Sequence, residues 1–454
     1  MTEKFRKFML FLGDIALLYS SLFLALSARN QAIISGQDWS YHWPVFSIAF
    51  AIWVIVFYIT GVYDLNNIRN DLRFYAAASQ AMGVNILLAI AFFYVLPQAQ
   101  LAPKTILVLN GVLFFILFVG WRQLSHRWIS KTALKRNVLI IGDGSIAREL
   151  TQLLDHNPQF GYQIAAIMNH NAADHHGNLA DYRDPGQLSE ILARHRISIV
   201  VMDNEGRQSR ALIANLYRHL GEPLEFIALD RFYEAIAKRI SLDTIDQFWF
   251  LENLQEGKKR LYDFGKRLVD VIAAAIGLGF GVALIPLISL IIALFHGRPV
   301  FFTQTRMGKN GKPFRAIKFR TMVRDAEKHG PQLAVKDDTR VTRLGRILRK
   351  SRLDEIPQLF NILRGEMSFV GPRPERPEFV AQLERDVPFY RERLLVKPGL
   401  TGWDQISGEY HSASQADSLK KLQYDLYYIK NRSLFLDITI ILKTIKTVLA
   451  GAGR

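Results

Sequence analysis

The 454-residue chain contains no cysteine, which excludes disulfides, thiolate metal sites and a cysteine nucleophile and leaves the compartment open. It carries no helix-turn-helix, zinc or stacking-aromatic pattern, so its formal charge of +16 does not point to nucleic acid. Anionic lipid head groups and phosphorylated substrates remain as partners for that charge. No small-residue cleavage site follows the first apolar run. Phe8 to Leu26, placed after Lys4, Arg6 and Lys7, therefore reads as a membrane helix and not as a removable signal.

Apolar residues make up 50% of the chain, with 30 Phe, and they are concentrated in long runs. Val45 to Val62, Phe74 to Leu96 and Thr105 to Trp121 are three further spans of membrane length. Asp14 inside the first span is either functional or faces a polar neighbour in the bundle. Arg69, Arg73, Arg122, Arg127, Lys131, Lys135 and Arg136 flank the ends that share a side with the basic N-terminus. By the positive-inside bias, that side is cytoplasmic.

From Asn137 to about Asp230, apolar strands (NVLIIG, QIAAIM, ISIVV, LEFIAL) alternate with helical stretches, the pattern of a parallel, doubly wound sheet. Its first turn, Gly142 to Ala147, matches the G-x-G-x-x-A dinucleotide fingerprint. The second strand ends at Met168-Asn169-His170 with no acid for a ribose hydroxyl. A structural or regulatory module is expected, and His170, His175 and His176 read as part of a solvated loop.

Leu268 to Phe295 is a fifth apolar run, interrupted by Pro286 and flanked by basic clusters on both sides. A simple crossing would carry one cluster to the outside. The expectation is a helix that enters from the cytoplasm, breaks near Pro286 and returns, the alternative being a kinked fifth crossing. Near the C-terminus, Ile438, Ile441, Leu442, Ile445 and Leu449 recur at helical spacing, suiting either the membrane interface or the domain core.

Between His296 and Leu400 there are 23 lysines and arginines against 12 acids. In that setting Asp354 and Glu355 stand side by side among Arg349, Lys350, Arg352, Arg364, Arg373 and Arg376. A carboxylate can attack phosphorus while guanidinium groups hold the phosphate oxygens. The bland reading is a solvated helix of paired charges, but the stiff, arginine-bearing GPRPERP segment from Gly371 gains nothing on an ordinary helix surface. Adjacent helical residues diverge by about 100°, so the two acids are expected to do different jobs. Pro357 in a first helical turn would set them near a helix N-terminus.

The segments KRLVD (266–270), PVFFTQTRMGKNGKPF (299–314), KFRTM (318–322), LDEIPQLFNILRGEMSFVGPRP (353–374) and KPGLTGWDQISG (397–408) resemble the monotopic phosphoglycosyl transferases of bacterial polysaccharide synthesis. The resemblance runs from about Lys266 to the C-terminus, and the upstream helices and α/β module match the larger members. It implies that Asp354 attacks the sugar-linked phosphate of a UDP-sugar and expels UMP, and that undecaprenyl phosphate then takes the sugar phosphate. It further implies Glu355 as a second acid serving Mg²⁺ or the lipid phosphate, with Lys318, Arg349 and Arg373 gripping phosphates. Arg320 and Arg376 are added on charge and proximity alone. Asp354 and Glu355 are then the expected Mg²⁺ ligands. The family usually has Ser before the breaking proline, whereas Ile285 precedes Pro286 here.

The expected architecture is a four-helix transmembrane bundle (1–130), a Rossmann-like α/β domain (131–255) and a mainly α monotopic catalytic domain (256–454) with a re-entrant helix at about 266–295. The expected location is the bacterial inner membrane, multi-pass, with catalysis on the cytoplasmic face. The product would initiate exopolysaccharide, capsule or O-antigen synthesis, and a homodimer is plausible from the resemblance. The hexose is left open between glucose, galactose and others. Two rivals stand beside this: a membrane-anchored NAD-dependent dehydratase or epimerase, for which Tyr262 and Lys266 have the right spacing outside the α/β region, and a non-enzymatic assembly scaffold.

Overall fold

The computed structural model describes residues 3–63, 72–95, 104–129, 135–142, 145–157, 160–168, 180–182, 184–254, 259–328, 330, 338–407 and 415–449. Asp143 and Gly144 of the glycine turn, the loop carrying His170, His175 and His176, and the flanking residues Arg69 and Lys131 lie outside the described residues. The chain forms two compact units, Met1–Phe232 and Tyr233–Arg454.

The first unit opens with four long apolar helices, α1 (Glu3–Asn30), α2 (Gly36–Ile59), α3 (Leu72–Val95) and α4 (Lys104–Ile129). All four are long and apolar enough to cross a membrane, as the sequence predicts. Phe57 and Phe118 stack with ring centroids 5.7 Å apart, and Trp53, Phe46 and Phe114 fill the rest of their interior. Asp14 finds its polar neighbour in Arg122 of α4, at 2.5 Å, with both side chains buried. A buried pair of this kind fixes how two helices register, because either charge alone would be costly in an apolar bundle.

The α/β part runs β1 (Arg136–Ile141), α5 (Ser145–His156), β2 (Tyr162–Met168), β3 (Ala180–Tyr182), α6 (Leu188–Arg194), β4 (Ile199–Met202), α7 (Asn204–Gln208), α8 (Arg210–Tyr217), β5 (Glu225–Ala228) and α9 (Leu229–Ala237). The strands form one sheet in the order β3-β2-β1-β4-β5, with every neighbouring pair parallel. The central strands β1 and β4 are buried along most or all of their length and read as continuous apolar runs, while β5 is legible from its apolar residues although it is half exposed.

The second unit comprises α10 (Gln247–Asn253), α11 (Arg260–His296), the antiparallel hairpin β6 (Phe301–Met307) and β7 (Pro313–Phe319), α12 (Arg343–Lys350), α13 (Leu359–Arg364), β8 (Ser368–Val370), α14 (Pro377–Asp386), β9 (Gly399–Thr401), α15 (Gln415–Asn431) and α16 (Leu434–Leu449). Ile240, Ile245 and Trp249 belong to its core, packed with Val370, Leu422 and Ile429. Residues 233–254, assigned from sequence to the α/β domain, therefore fold with the C-terminal unit.

The break expected at Pro286 is absent. α11 runs as one 37-residue helix with Pro286 inside it. Proline removes a single helical hydrogen bond, and side-chain packing on both sides of it carries the helix through. Ala274 packs against Phe314 and Leu359, Gly281 lies against Ile356, and Ile285, Ile288 and Ile292 join Phe319 and Leu348. With Leu278, which packs on the same cluster as Ala274, these residues recur every three or four positions, so one stripe of α11 is docked from Ala274 to Ile292. Its ends are tied to the same unit: Arg267 donates to the Ile362 and Leu363 carbonyls at 2.6 and 2.7 Å, and Arg320 donates to those of His296 and Gly297 at 2.5 and 2.7 Å. The opposite stripe, including Ile276, Phe280, Leu287 and Leu294, is exposed. In α16, Ile440 is buried in the core while Ile438 and Ile445 face outward, so part of the helix packs on the domain core as one of the two expectations has it.

Candidate active site

Asp354 and Glu355 sit in the first turn of a 3-10 helix, Leu353–Gln358, that leads into α13. The expected proline-containing helix start is thus realised in the tighter 3-10 form. Three neighbours position the phosphate-gripping candidates around it. β7 delivers Lys318, and Asn361 locks that strand to α13: its amide donates to Arg315 O at 2.8 Å and its carbonyl accepts from Ile317 N at 3.2 Å. α12 delivers Arg349, whose Nε donates to Thr321 Oγ1 at 2.9 Å. Gly345, one turn earlier on α12, lies so close to Thr321 that a Cβ would collide with its carbonyl. Only glycine lets α12 come near enough to place Arg349.

The loop after β8 delivers Arg373. It is stitched to the KPGLTG segment, with Gly371 N donating to Thr401 O at 2.9 Å and Gly399 N to Pro372 O at 3.0 Å. A Cβ on Gly371 or Gly399 would strike the other strand's backbone. The Arg373 carbonyl accepts from Arg393 Nη2 at 3.1 Å, and Arg393 is itself paired with buried Asp425 at 2.7 Å.

Both acids are buried, Asp354 at 6% and Glu355 at 5% exposure, yet their surroundings differ sharply. Glu355 Oε1 accepts from Lys318 Nζ at 2.8 Å and from Arg373 Nη2 at 3.2 Å, and Oε2 accepts from Arg352 Nη1 at 3.1 Å. Burial alone would raise its pKa, but Lys318, then Arg373 and Arg352, hold it well below the usual carboxylate range. Burial in turn lowers Lys318 against the pull of Glu355. Asp354 makes no ion pair or hydrogen bond with its side chain among the described residues. Burial, followed by repulsion from Glu355, pushes it up to about 6 in spite of Lys318, Arg349 and Arg373. The two adjacent carboxylates thus stand in different surroundings: one is engaged by three cations and the other has no side-chain hydrogen bond among the described residues.

Two residues expected at the site from the sequence lie elsewhere. Arg320 caps the end of α11, as described above, and does not join the acids. Arg376 pairs with Glu327 at 3.0 Å and stands apart from them as well. Arg352 is named from the sequence among the basic residues around the acids, and Asn361 and Gln405 lie inside the family-like motifs, but the sequence assigns none of them a role, although Arg352 holds Glu355 directly. Tyr262 and Lys266, the residues that kept the NAD-enzyme rival open, both donate to Asp437 Oδ2 at 2.8 Å and are therefore engaged in packing the second unit.

For Mg²⁺, the expected pair of ligands fits only in part. Among the described residues no group of three His, Asp or Glu gathers, and Glu355 is already surrounded by three cations. Asp354 alone fits, as the one protein carboxylate that a Mg²⁺ carried on substrate phosphates commonly uses. In the α/β sheet, the crevice where the strand order reverses lies between β1 and β4. There the Asp203 carboxylate lies against Gly142, where a Cβ on that glycine would be, while also capping α7 through Gly206 N at 2.7 Å.

A membrane-associated unit that sets a free, buried carboxylate amid cations is an enzyme of phosphate transfer. Residues 261–451 match the family described as bacterial sugar transferase, and the chain belongs to that family. Residues 58–202 match a family described as CoA-binding domain. Similar proteins include the UDP-N-acetylgalactosamine-undecaprenyl-phosphate N-acetylgalactosaminephosphotransferase of Aeromonas hydrophila, 46% identical over 193 residues, 42% of this chain and 45% of that one. The UDP-glucose:undecaprenyl-phosphate glucose-1-phosphate transferase of Xanthomonas campestris pv. campestris is 33% identical over 69% of this chain and 66% of its own. A putative undecaprenyl-phosphate N-acetylgalactosaminyl 1-phosphate transferase of Bacillus subtilis is 42% identical over 35% of this chain and 86% of its own. The chain thus spans about half to two thirds of the first two.

Proposed function

We propose that the protein transfers a hexose 1-phosphate from a UDP-sugar to undecaprenyl phosphate, releasing UMP, through a covalent intermediate on Asp354. The observation that carries this is the unpaired Asp354 carboxylate beside Lys318, Arg349 and Arg373, next to a Glu355 that is fully engaged. An Asp354 oxygen attacks the sugar-linked phosphorus in line. The bond from phosphorus to the UMP oxygen breaks, and its electron pair leaves with UMP. An oxygen of the lipid phosphate then attacks the same phosphorus and expels the Asp354 carboxylate. Positioned cations do most of the work in such transfers. Lys318, Arg349 and Arg373 are placed to hold the equatorial oxygens, and Glu355 keeps three long basic side chains from collapsing onto Asp354. A Mg²⁺ held by Asp354 and the diphosphate would neutralise the donor's charge.

The same reading places α11 in one leaflet. A helix docked along one stripe and tied at both ends to a single catalytic unit keeps both of its basic flanks on one side, which favours an unbroken anchor lying along the membrane face over either a helix that breaks and returns or a fifth crossing. Burying a large apolar side chain gains roughly 1.5–3 kcal/mol, so the exposed stripe favours lipid by well over 10 kcal/mol. α1 to α4 would span the inner membrane with the catalytic unit cytoplasmic.

The test is incubation of reconstituted protein with UDP-sugars and undecaprenyl phosphate. UMP release, and a sugar-phosphate adduct on Asp354 by mass spectrometry with donor alone, are expected. Release of UDP would assign an ordinary glycosyltransferase.

A further inference from the structure

The turn that carries Asp354 starts from Arg352, which holds φ 56, a left-handed conformation that costs a non-glycine residue on the order of 1–3 kcal/mol at such sites. The conformation delivers a fixed guanidinium. Arg352 Nη1 donates to Glu355 Oε2 and also reaches Gln405 Oε1 at 3.5 Å. That contact orients the Gln405 amide, since turning it over would set its NH2 against the guanidinium, donor to donor. Two donors are then left over. Arg352 Nε and Gln405 Nε2 are both buried and have no hydrogen-bond partner among the described residues. A buried unsatisfied donor costs roughly 1–3 kcal/mol, and here two occur on touching side chains, one of them two residues from the nucleophile. Such a pair calls for an acceptor beyond the described residues.

We propose that Arg352 and Gln405 form the subsite that reads an oxygen on the hexose ring of the donor; the proposal rests on the transferase reading above. The phosphate side of the site is already supplied. Lys318 and Arg373 hold Oε1 of Glu355, and Arg352 holds the other oxygen, so its charge is matched on a separate edge. What Arg352 and Gln405 offer together is a neutralised pair of directed N–H donors. That chemistry suits a hydroxyl or an acylamino oxygen better than a phosphate. A site built to hydrogen-bond a substrate oxygen discriminates strongly against analogues lacking it. The chain of contacts from Glu355 through Arg352 to Gln405 also links sugar recognition to the cation cluster beside Asp354.

The test uses full-length reconstituted protein carrying Gln405→Met or Gln405→Glu. The second variant keeps a partner for Arg352 while removing the NH2 donor, so loss of folding cannot mimic the result. UMP release is measured with UDP-glucose, UDP-galactose, UDP-N-acetylglucosamine and UDP-N-acetylgalactosamine, and UMP is titrated as an inhibitor. For the preferred donor, kcat/KM is expected to fall 10- to 100-fold. The fall is expected to be at least ten-fold smaller for one or more of the others, with UMP inhibition and the thermal midpoint of Gln405→Glu unchanged. An equal fall on all four donors overturns the proposal, and weakened UMP inhibition alongside it assigns the subsite to the nucleotide. Unchanged kinetics in both variants overturns it too, leaving the pair to a bridging water. Failure of the wild type to release UMP from any of the four is the distinct failure of the transferase reading, and removes this proposal with it.

Discussion

Replacing Asp354 with Asn removes the carboxylate proposed to attack phosphorus, and it is expected to make the protein more stable. The raised pKa of Asp354, about 6 against an ordinary value near 4, means that the folded state prefers the protonated carboxyl. Whatever stability the group contributes is fully present below its unfolded pKa and is lost as pH rises through 6. At pH 7.5 the charged form costs about two pKa units, at roughly 1.4 kcal/mol each, or close to 3 kcal/mol. Asparagine carries no charge to desolvate and no repulsion from Glu355. For a unit of this size 1 kcal/mol is worth about 2–4 °C, so a thermal midpoint roughly 6–12 °C higher is expected at pH 7.5, shrinking toward nothing by pH 4. UMP release should be abolished at every pH, while the wild-type rate should fall as pH drops through 6 and the nucleophile takes up its proton. Differential scanning fluorimetry in detergent, run across pH beside the UMP assay, reads all three. A variant that is less stable at pH 7.5, or whose gain is the same at pH 4.5, would refute the electrostatic reasoning.

Glu355→Gln should do the reverse. Stranding Lys318, Arg352 and Arg373 costs roughly 3–5 kcal/mol, seen as a lower midpoint, and because its folded pKa is depressed the loss is full above the unfolded carboxylate pKa and fades as pH falls toward the folded one. Arg320→Ala should lower the midpoint by freeing the last carbonyls of α11 while leaving inhibition by UMP unchanged; weakened UMP inhibition would return Arg320 to the phosphate site. The α/β module, with Asp203 in its crevice, should carry no stoichiometric NAD or CoA when the purified protein is denatured and its supernatant chromatographed. Loss of that exclusion in Asp203→Asn, measured as new CoA binding by calorimetry, would locate the barrier in that carboxylate.

Local periodicity carries much of the architecture. The four apolar runs and the alternation of strand and helix are signals confined to a dozen or so residues each, and the structure keeps them. β3 escapes such a reading because three residues, Ala180–Tyr182, hold too little pattern to register. The acids are legible from their basic setting, and Lys318, Arg349 and Arg373 from the motifs. Arg320 and Arg376 mark where charge and proximity mislead. Lys318 and Arg320 are two residues apart and would share a face on a longer strand, but β7 ends at Phe319, and Arg320 turns away to α11. Arg376 precedes Pro377 at the start of α14 and turns to Glu327. Arg352 is illegible because nothing in an arginine announces a left-handed backbone, and Gln405 because its partner lies 53 positions away. Pro286 misleads in the other direction: one lost hydrogen bond is outweighed by packing that only the folded chain reveals.

Asp270, on the apolar helix α11, accepts a hydrogen bond from Phe369 N at 3.1 Å, and Phe369 stands two residues before the loop that aims Arg373. On the proposed placement of α11 in lipid and of Asp354 at the phosphorus, the bilayer and the reacting phosphorus would be connected in mechanical series through one short linkage. Any tilt imposed on the anchor by a thicker or thinner leaflet is delivered to a guanidinium at the chemistry, so turnover should track acyl-chain length even when both substrates are saturating.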